Sequence, residues 1–172
     1  SLGGARAIID KLVPAMQCFE KALTIDGKDF MALYNLGLAE QGRGRIAEAC
    51  TYLENALLHY TAEDGGQEVV DDLKLQLGML ASELGKHQQA LTYLETWQAH
   101  NEKSPKVGRV LYHLGKAYHD QGDNRRAMVA LQRALKFNEF DDRAMDLLGR
   151  IYLHEGEGDE IAFALCRKSV EL

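Results

Sequence analysis

The 172-residue chain contains only two prolines, three cysteines and one tryptophan. With so little proline, few positions force a helix to break, and long helices are favoured. Cys18, Cys50 and Cys166 form no CxxC pair and have no short spacing. That odd, scattered set argues against a disulfide framework and a zinc site, and it fits a reducing compartment such as the cytoplasm. No apolar run approaches the ~18 residues that a membrane helix requires. A charged, apolar and small-residue leader does not open the chain, although Ser1-Leu2-Gly3-Gly4 reads as a cut end, which leaves room for an upstream signal or anchor. An excess of basic residues is lacking as well. The net charge is -6, which disfavours general nucleic-acid binding, because phosphate neutralisation calls for surplus Lys and Arg. The charge is uneven, however. Residues 1–104 carry 9 Lys+Arg against 15 Asp+Glu, whereas residues 105–172 carry 11 against 11, so a local basic patch has room only in the second half.

What is present is ordinary in amount and periodic in arrangement. Hydrophobic residues make up 46% and charged residues 27%, a globular balance in a chain long enough to bury a core. Leu-Gly recurs at Leu2-Gly3, Leu36-Gly37, Leu77-Gly78, Leu114-Gly115 and Leu148-Gly149. The steps are 34, 41, 37 and 34 residues. The two longer ones exceed 34 by roughly two turns and one turn of helix, which lengthens a helix without rotating its apolar face. Twelve residues after the glycine stands Ala15, Ala49, Ala90 or Ala127, with Ala162 one residue late. Phe19, Leu53, Leu94, Leu131 and Cys166 follow four residues later, and Ala22, Ala56, Trp97, Ala134 and Ser169 three beyond those. A 4-then-3 spacing is one face of a helix. Each unit therefore reads as two helices, separated at Gly44, Gly85, Gly122 and Gly156 by left-handed turns. Asp29, Ser104 and Asp141 are the expected N-caps, with Pro105 as a first helical residue.

This pattern resembles the tetratricopeptide repeat (TPR) family. Residues 32–57, ALYNLGLAEQGRGRIAEACTYLENAL, and 110–135, VLYHLGKAYHDQGDNRRAMVALQRAL, carry the resemblance most fully. It implies an all-α, right-handed superhelical solenoid of about five helix-turn-helix repeats forming one array over 1–172. The repeats fall at about 1–29, 30–63, 71–104, 108–141 and 142–172, with insertions at 64–70 and 105–107. The family's loop proline is absent. The opening unit keeps only part of its first helix, and in the third unit the stripe Val70, Leu73, Leu77, Leu80 and Leu84 predicts a lengthened first helix from about Gln67 to Leu84. Trp97 stands where the family has a small residue, so wider packing is expected around it.

Few residues propose chemistry. GRGRIA (42–47) satisfies a dinucleotide-binding pattern, but it follows a helical segment instead of a strand, so it reads as the turn between paired helices. His113 and His119 are six apart, which places them on different helix faces and not at the i, i+4 spacing of a metal pair. They read as solvated or partner-facing imidazoles. Acidic stretches at 61–68 and 154–160 lack calcium-loop spacing and read as solvated turns. No nucleophile, base and acid converge. The expectation is a non-enzymatic module without cofactor or metal.

In the repeat family, ligand contacts come from a stripe on each first helix, offset from the Leu-Gly face. Carried onto this chain, the resemblance marks Met31, Tyr34, Asn35, Leu38, Leu75 and Met79 as an apolar, adaptable N-terminal lining of a concave groove. It marks Arg109, Tyr112, Lys116, His119, Arg143 and Arg150 as a cationic C-terminal lining. The expected partner is a protein or peptide with apolar anchors at one end and acidic groups at the other, and no direct membrane insertion is expected. Some family members clamp a chaperone's C-terminal carboxylate with Lys and Asn residues. Only Asn35 matches here, so that activity is not expected. The alternatives are a scaffold that self-associates into homo-oligomers through open repeat ends, or a regulatory domain of a larger enzyme.

Overall fold

The computed structural model describes residues 2–61, 63–138 and 141–156. Among the described residues there are eight helices and no strand: α1 (Leu2–Ile25), α2 (Phe30–Gly42), α3 (Ile46–His59), α4 (Gln67–Glu83), α5 (His87–His100), α6 (Val107–Asp120), α7 (Asn124–Phe137) and α8 (Asp142–Glu155). This is an all-α helical-repeat fold. Two compact units divide inside α4, covering residues 1–80 and 81–172. The second helix of the last repeat, expected to carry Ala162, Cys166 and Ser169, lies outside the described residues.

The recurring Leu-Gly has a steric cause. A Cβ on Gly37 would lie 2.5 Å from Leu53 Cδ2, and one on Gly115 would lie 2.7 Å from Leu131 Cγ. Both leucines are fully buried. The glycine lets the second helix of a repeat seat its leucine directly against the backbone of the first, so α2 packs on α3 and α6 on α7. Gly44, Gly85, Gly122 and Gly156 have φ between +67° and +88°, the left-handed turn that only glycine adopts without strain.

In the N-terminal unit, Met16, Leu36 and Ala39 form a core closed by Leu12, Phe19, Leu23 and Tyr52. The GRGRIA segment completes it. Gly44 shapes the turn, while Arg43 and Arg45 reach back to the carboxylate of Glu40, at 3.0 and 3.7 Å. Glu40 is buried, so these arginines neutralise an otherwise costly charge.

Several helix boundaries correct the sequence-based expectation. The first unit is one uninterrupted helix, and Pro14 lies within it. Its turn position, seven residues after Gly3, is Asp10 and not glycine, so nothing there favours a left-handed stop. Asp29 and Asp141 cap as expected, accepting from the backbone N–H of Ala32 and Ala144. Ser104 does not: its Oγ accepts from Lys106 N at 3.3 Å, and Ser104 to Val107 form a turn, so α6 starts two residues beyond Pro105. Asp123, not anticipated, caps α7 through Arg126 N. Helix α4 starts at Gln67 as expected and ends at Glu83, which leaves Leu84 exposed past its end. Trp97 is buried.

Candidate functional site

The first-helix stripe of the N-terminal unit offers less apolar surface than its sequence suggests. Met31 is 55% exposed and Leu38 is half-buried, whereas Leu75 and Met79 are enclosed, at 2% and 6% exposure. Tyr34 donates its hydroxyl to Asp72 Oδ2 at 2.7 Å and stacks on Phe30 with ring centroids 5.8 Å apart. Burial first, then the Asp72 carboxylate, pushes the Tyr34 pKa well above the phenol range. Asn35 turns its amide onto Met31 O in its own helix, at 2.7 Å. Met31 also rims a depression shared with Leu58, Phe30, Tyr60, Asp26 and Asp29.

In the C-terminal unit, Tyr112, His113 and their neighbours form a dense arrangement at the base of the stripe. Tyr112 and His113 are both buried, with rings 5.1 Å apart and edge-on. Arg143 lies 4.6 Å over the Tyr112 ring from α8, a cation–π contact. Burial raises the Tyr112 pKa, with Arg143 acting in the opposite sense. Lys116 donates to the Ser82 carbonyl at 2.6 Å and approaches Asp120 at 3.5 Å. Arg150 pairs with Asp146 at 2.9 Å, and Arg143 reaches Asp141 at 3.9 Å. Arg109 is exposed and makes no hydrogen bond or ion pair among the described residues. His119 is half-buried, with Nδ1 2.8 Å from Asn124 Oδ1.

His113 corrects the reading of a solvated imidazole. It is 5% exposed, and its Nδ1 has no hydrogen-bond partner among the described residues; Glu83 Oε1 at 3.6 Å is too far for one. Burial, reinforced by Arg143, Lys116 and Arg109, lowers its pKa to about 3. The ring is therefore neutral at physiological pH, and the Glu83 contact is not an ion pair. A usable signal was present: His113 lies three residues after buried Val110 and four before buried Ala117, the spacing of the packed face itself.

The arrangement gathers cationic groups that can hold an anion by charge. No group of three His, Cys, Asp or Glu side chains capable of holding a metal occurs among the described residues, nor is any described helix long and apolar enough to cross a membrane. Tetratricopeptide repeat models match residues 29–96 and, for a second model, 75–142 and 112–172. Among solved structures, one of MamA is 20% identical over 99% of this chain and 94% of that one, with a TM-score of 0.72. A second MamA structure is 21% identical over 98% and 86%, at 0.73. YrrB, described as a TPR protein with an unusual peptide-binding site, is 21% identical over 96% and 79%, at 0.72. At these identities the likeness carries the fold. Comparison with curated protein sequences gives no match.

Proposed function

Because the chain belongs to the tetratricopeptide repeat family, typically non-enzymatic protein-interaction modules, we propose that it binds a partner's acidic segment along the first-helix stripe of its C-terminal unit. The carrying observation is the convergence of Arg143, Lys116 and Arg109 around buried His113, where their charges add to burial in keeping that imidazole neutral. A site that repels one more positive charge attracts a carboxylate. Arg109 and Arg143 offer planar forks for it, because Arg109 has no counter-ion among the described residues and Arg143 has only a distant one. Lys116 has a different part: its ammonium is committed to the Ser82 carbonyl, so it holds the end of α4 against α6.

In the N-terminal unit, Met31 and Leu38 are the accessible apolar contacts of the same reading, with Tyr34 and Asn35 beside them. The enclosed Leu75 and Met79 support that surface from below. The unusual peptide-binding site described for YrrB agrees with such a use of the fold.

The test starts from partners captured by the full chain from a lysate and identified by mass spectrometry. Arg109→Glu with Arg143→Glu, both exposed, is expected to weaken a captured partner at least tenfold in a direct titration. Undiminished binding by that variant would sink the proposal. Far-UV circular dichroism confirms that the variant is folded.

A further inference from the structure

Helix α7, to which none of the stripe residues belongs, has an outer face of its own. Its sequence, NRRAMVALQRALKF, contains Arg125, Arg126, Arg133 and Lys136 and no acid. Aligned on the phase alanines Ala49, Ala90 and Ala127, the positions of Arg125, Arg133 and Lys136 are held by Ala47, Asn55 and Leu58 in α3, and by Gln88, Thr96 and Ala99 in α5. The repeat packs without charge there, so these cations are not a requirement of the scaffold.

Their placement is linear. Arg125, Val129, Arg133 and Lys136 follow at i, i+4, i+8 and i+11, within an arc of roughly 80° and over about 17 Å of helix. All four are exposed, Val129 at 53%. Arg126, to one side, is already engaged by Asp123 and the Tyr118 ring. Gln132, about 20° outside that arc, is tied to the Tyr152 hydroxyl.

We infer that the outer face of α7 is a second docking surface, which receives an acidic helical segment of a partner protein, with carboxylates opposite Arg125, Arg133 and Lys136 and an apolar side chain on Val129. A straight ridge of this length matches one helix laid along another. Guanidinium forks suit carboxylates, and an apolar centre with a charged rim is the anatomy of a protein interface. An anionic bilayer fits less well. Val129 is shorter than the arginines on either side, so it cannot insert past them. Phe137, the other exposed apolar residue, is rotated about 120° from Arg125, and its Cβ is set against Gly108.

The test uses the full chain and a labelled 18-residue stapled helix bearing Glu at the three facing positions and Leu at the fourth, read by fluorescence anisotropy. Saturable binding is expected, weakened at least tenfold by Arg125→Glu with Arg133→Glu. Arg125→Gln with Arg133→Gln should weaken it less, and Arg109→Glu with Arg143→Glu should leave it unchanged. A scrambled helix of the same composition should bind at least tenfold more weakly. The inference is overturned by equal binding of the scrambled helix, by retention in the Arg125/Arg133 variants, or by no saturable binding. It is likewise overturned if vesicles with 30% phosphatidylserine bind the chain through Arg125 and Arg133 while the stapled helix does not. Because the groove variant is an independent arm, failure here is distinct from failure of the first-helix site.

Discussion

Replacing Gly115 by alanine isolates the contact that the repeated Leu-Gly serves. The new Cβ would stand 2.7 Å from Leu131 Cγ, 2.8 Å from its Cδ2 and 3.4 Å from Ala127 O. Leu131 has no exposed surface into which it could swing. Overpacking of this kind costs about 1–3 kcal/mol, while alanine gains about 1 kcal/mol over glycine in a helix. Gly115→Ala alone should therefore destabilise the protein by about 0–2 kcal/mol. Leu131→Ala alone removes a fully buried leucine and should cost about 2–5 kcal/mol. In the double variant the two obstructing atoms are gone, so Gly115→Ala keeps only its helical gain and becomes stabilising. The same substitution then changes sign between backgrounds, with a coupling of about 1–3 kcal/mol. Urea unfolding of the four proteins, followed by far-UV circular dichroism, measures it, and amide hydrogen exchange places the change in α6 and α7. If Gly115→Ala shifts stability equally in both backgrounds, within about 0.5 kcal/mol, the steric account of the repeat is refuted.

Further predictions concern groups buried next to charge. His113 has a folded pKa of about 3 against an ordinary 6.5, so its contribution to stability is fully present above pH 6.5 and is lost as pH falls toward 3; the imidazole NMR signal should show no protonation at pH 5, and His113→Gln should flatten the stability profile between pH 6.5 and 4. Burial, and then its hydrogen bond to Glu95, push the Tyr118 hydroxyl up to about 12. Its stabilisation should be complete below pH 10 and vanish as pH rises through 12, an ultraviolet titration that Tyr118→Phe should simplify by one late-ionising phenol. Arg43→Ala leaves the buried Glu40 carboxylate without its 3.0 Å partner and should cost about 1–3 kcal/mol in urea unfolding, part of it recovered by adding Glu40→Gln.

Sequence alone showed the parts of the fold that repeat. A glycine beneath a leucine and a left-handed glycine at each turn are local steric demands, so they recur in register wherever the fold does. The boundary at Ser104-Pro105 did not follow, because a serine and a proline suit a turn as well as a helix start, and here the Val107 N–H closes a turn on the Ser104 carbonyl. Burial of Leu75 and Met79 was invisible for a related reason: the stripe and the packed face are neighbouring arcs of the same helix, and helical spacing does not say where one ends. The pairing of the cations was partly readable. Asp146 with Arg150 and Lys116 with Asp120 stand at i, i+4, where opposite charges meet. The Arg143 contact with Tyr112 joins two helices and depended on the fold.

That pairing changes where charge is available to a partner. A cation already facing a carboxylate must give up part of that contact before it can hold another, and an exposed pair contributes only about 0–1 kcal/mol to begin with. On the first-helix stripe Lys116 and Arg150 are committed in this way, which leaves Arg109 and the loosely held Arg143 to receive an acidic group. On α7 the cations Arg125, Arg133 and Lys136 have no ion pair within 4 Å among the described residues, and no acid within their own helix. Screening distinguishes the two surfaces. Exposed, uncompensated charges lose attraction steeply as the Debye length shrinks from about 10 Å at 0.1 M salt to about 3 Å at 1 M. At the stripe fewer open cations meet the ligand, Arg109 and Arg143 against Arg125, Arg133 and Lys136 on α7, so screening removes less of its attraction. Binding of an acidic helix at α7 should therefore fall more sharply with added salt than binding at the stripe, and a stripe ligand with the steeper salt dependence would refute this count of open cations.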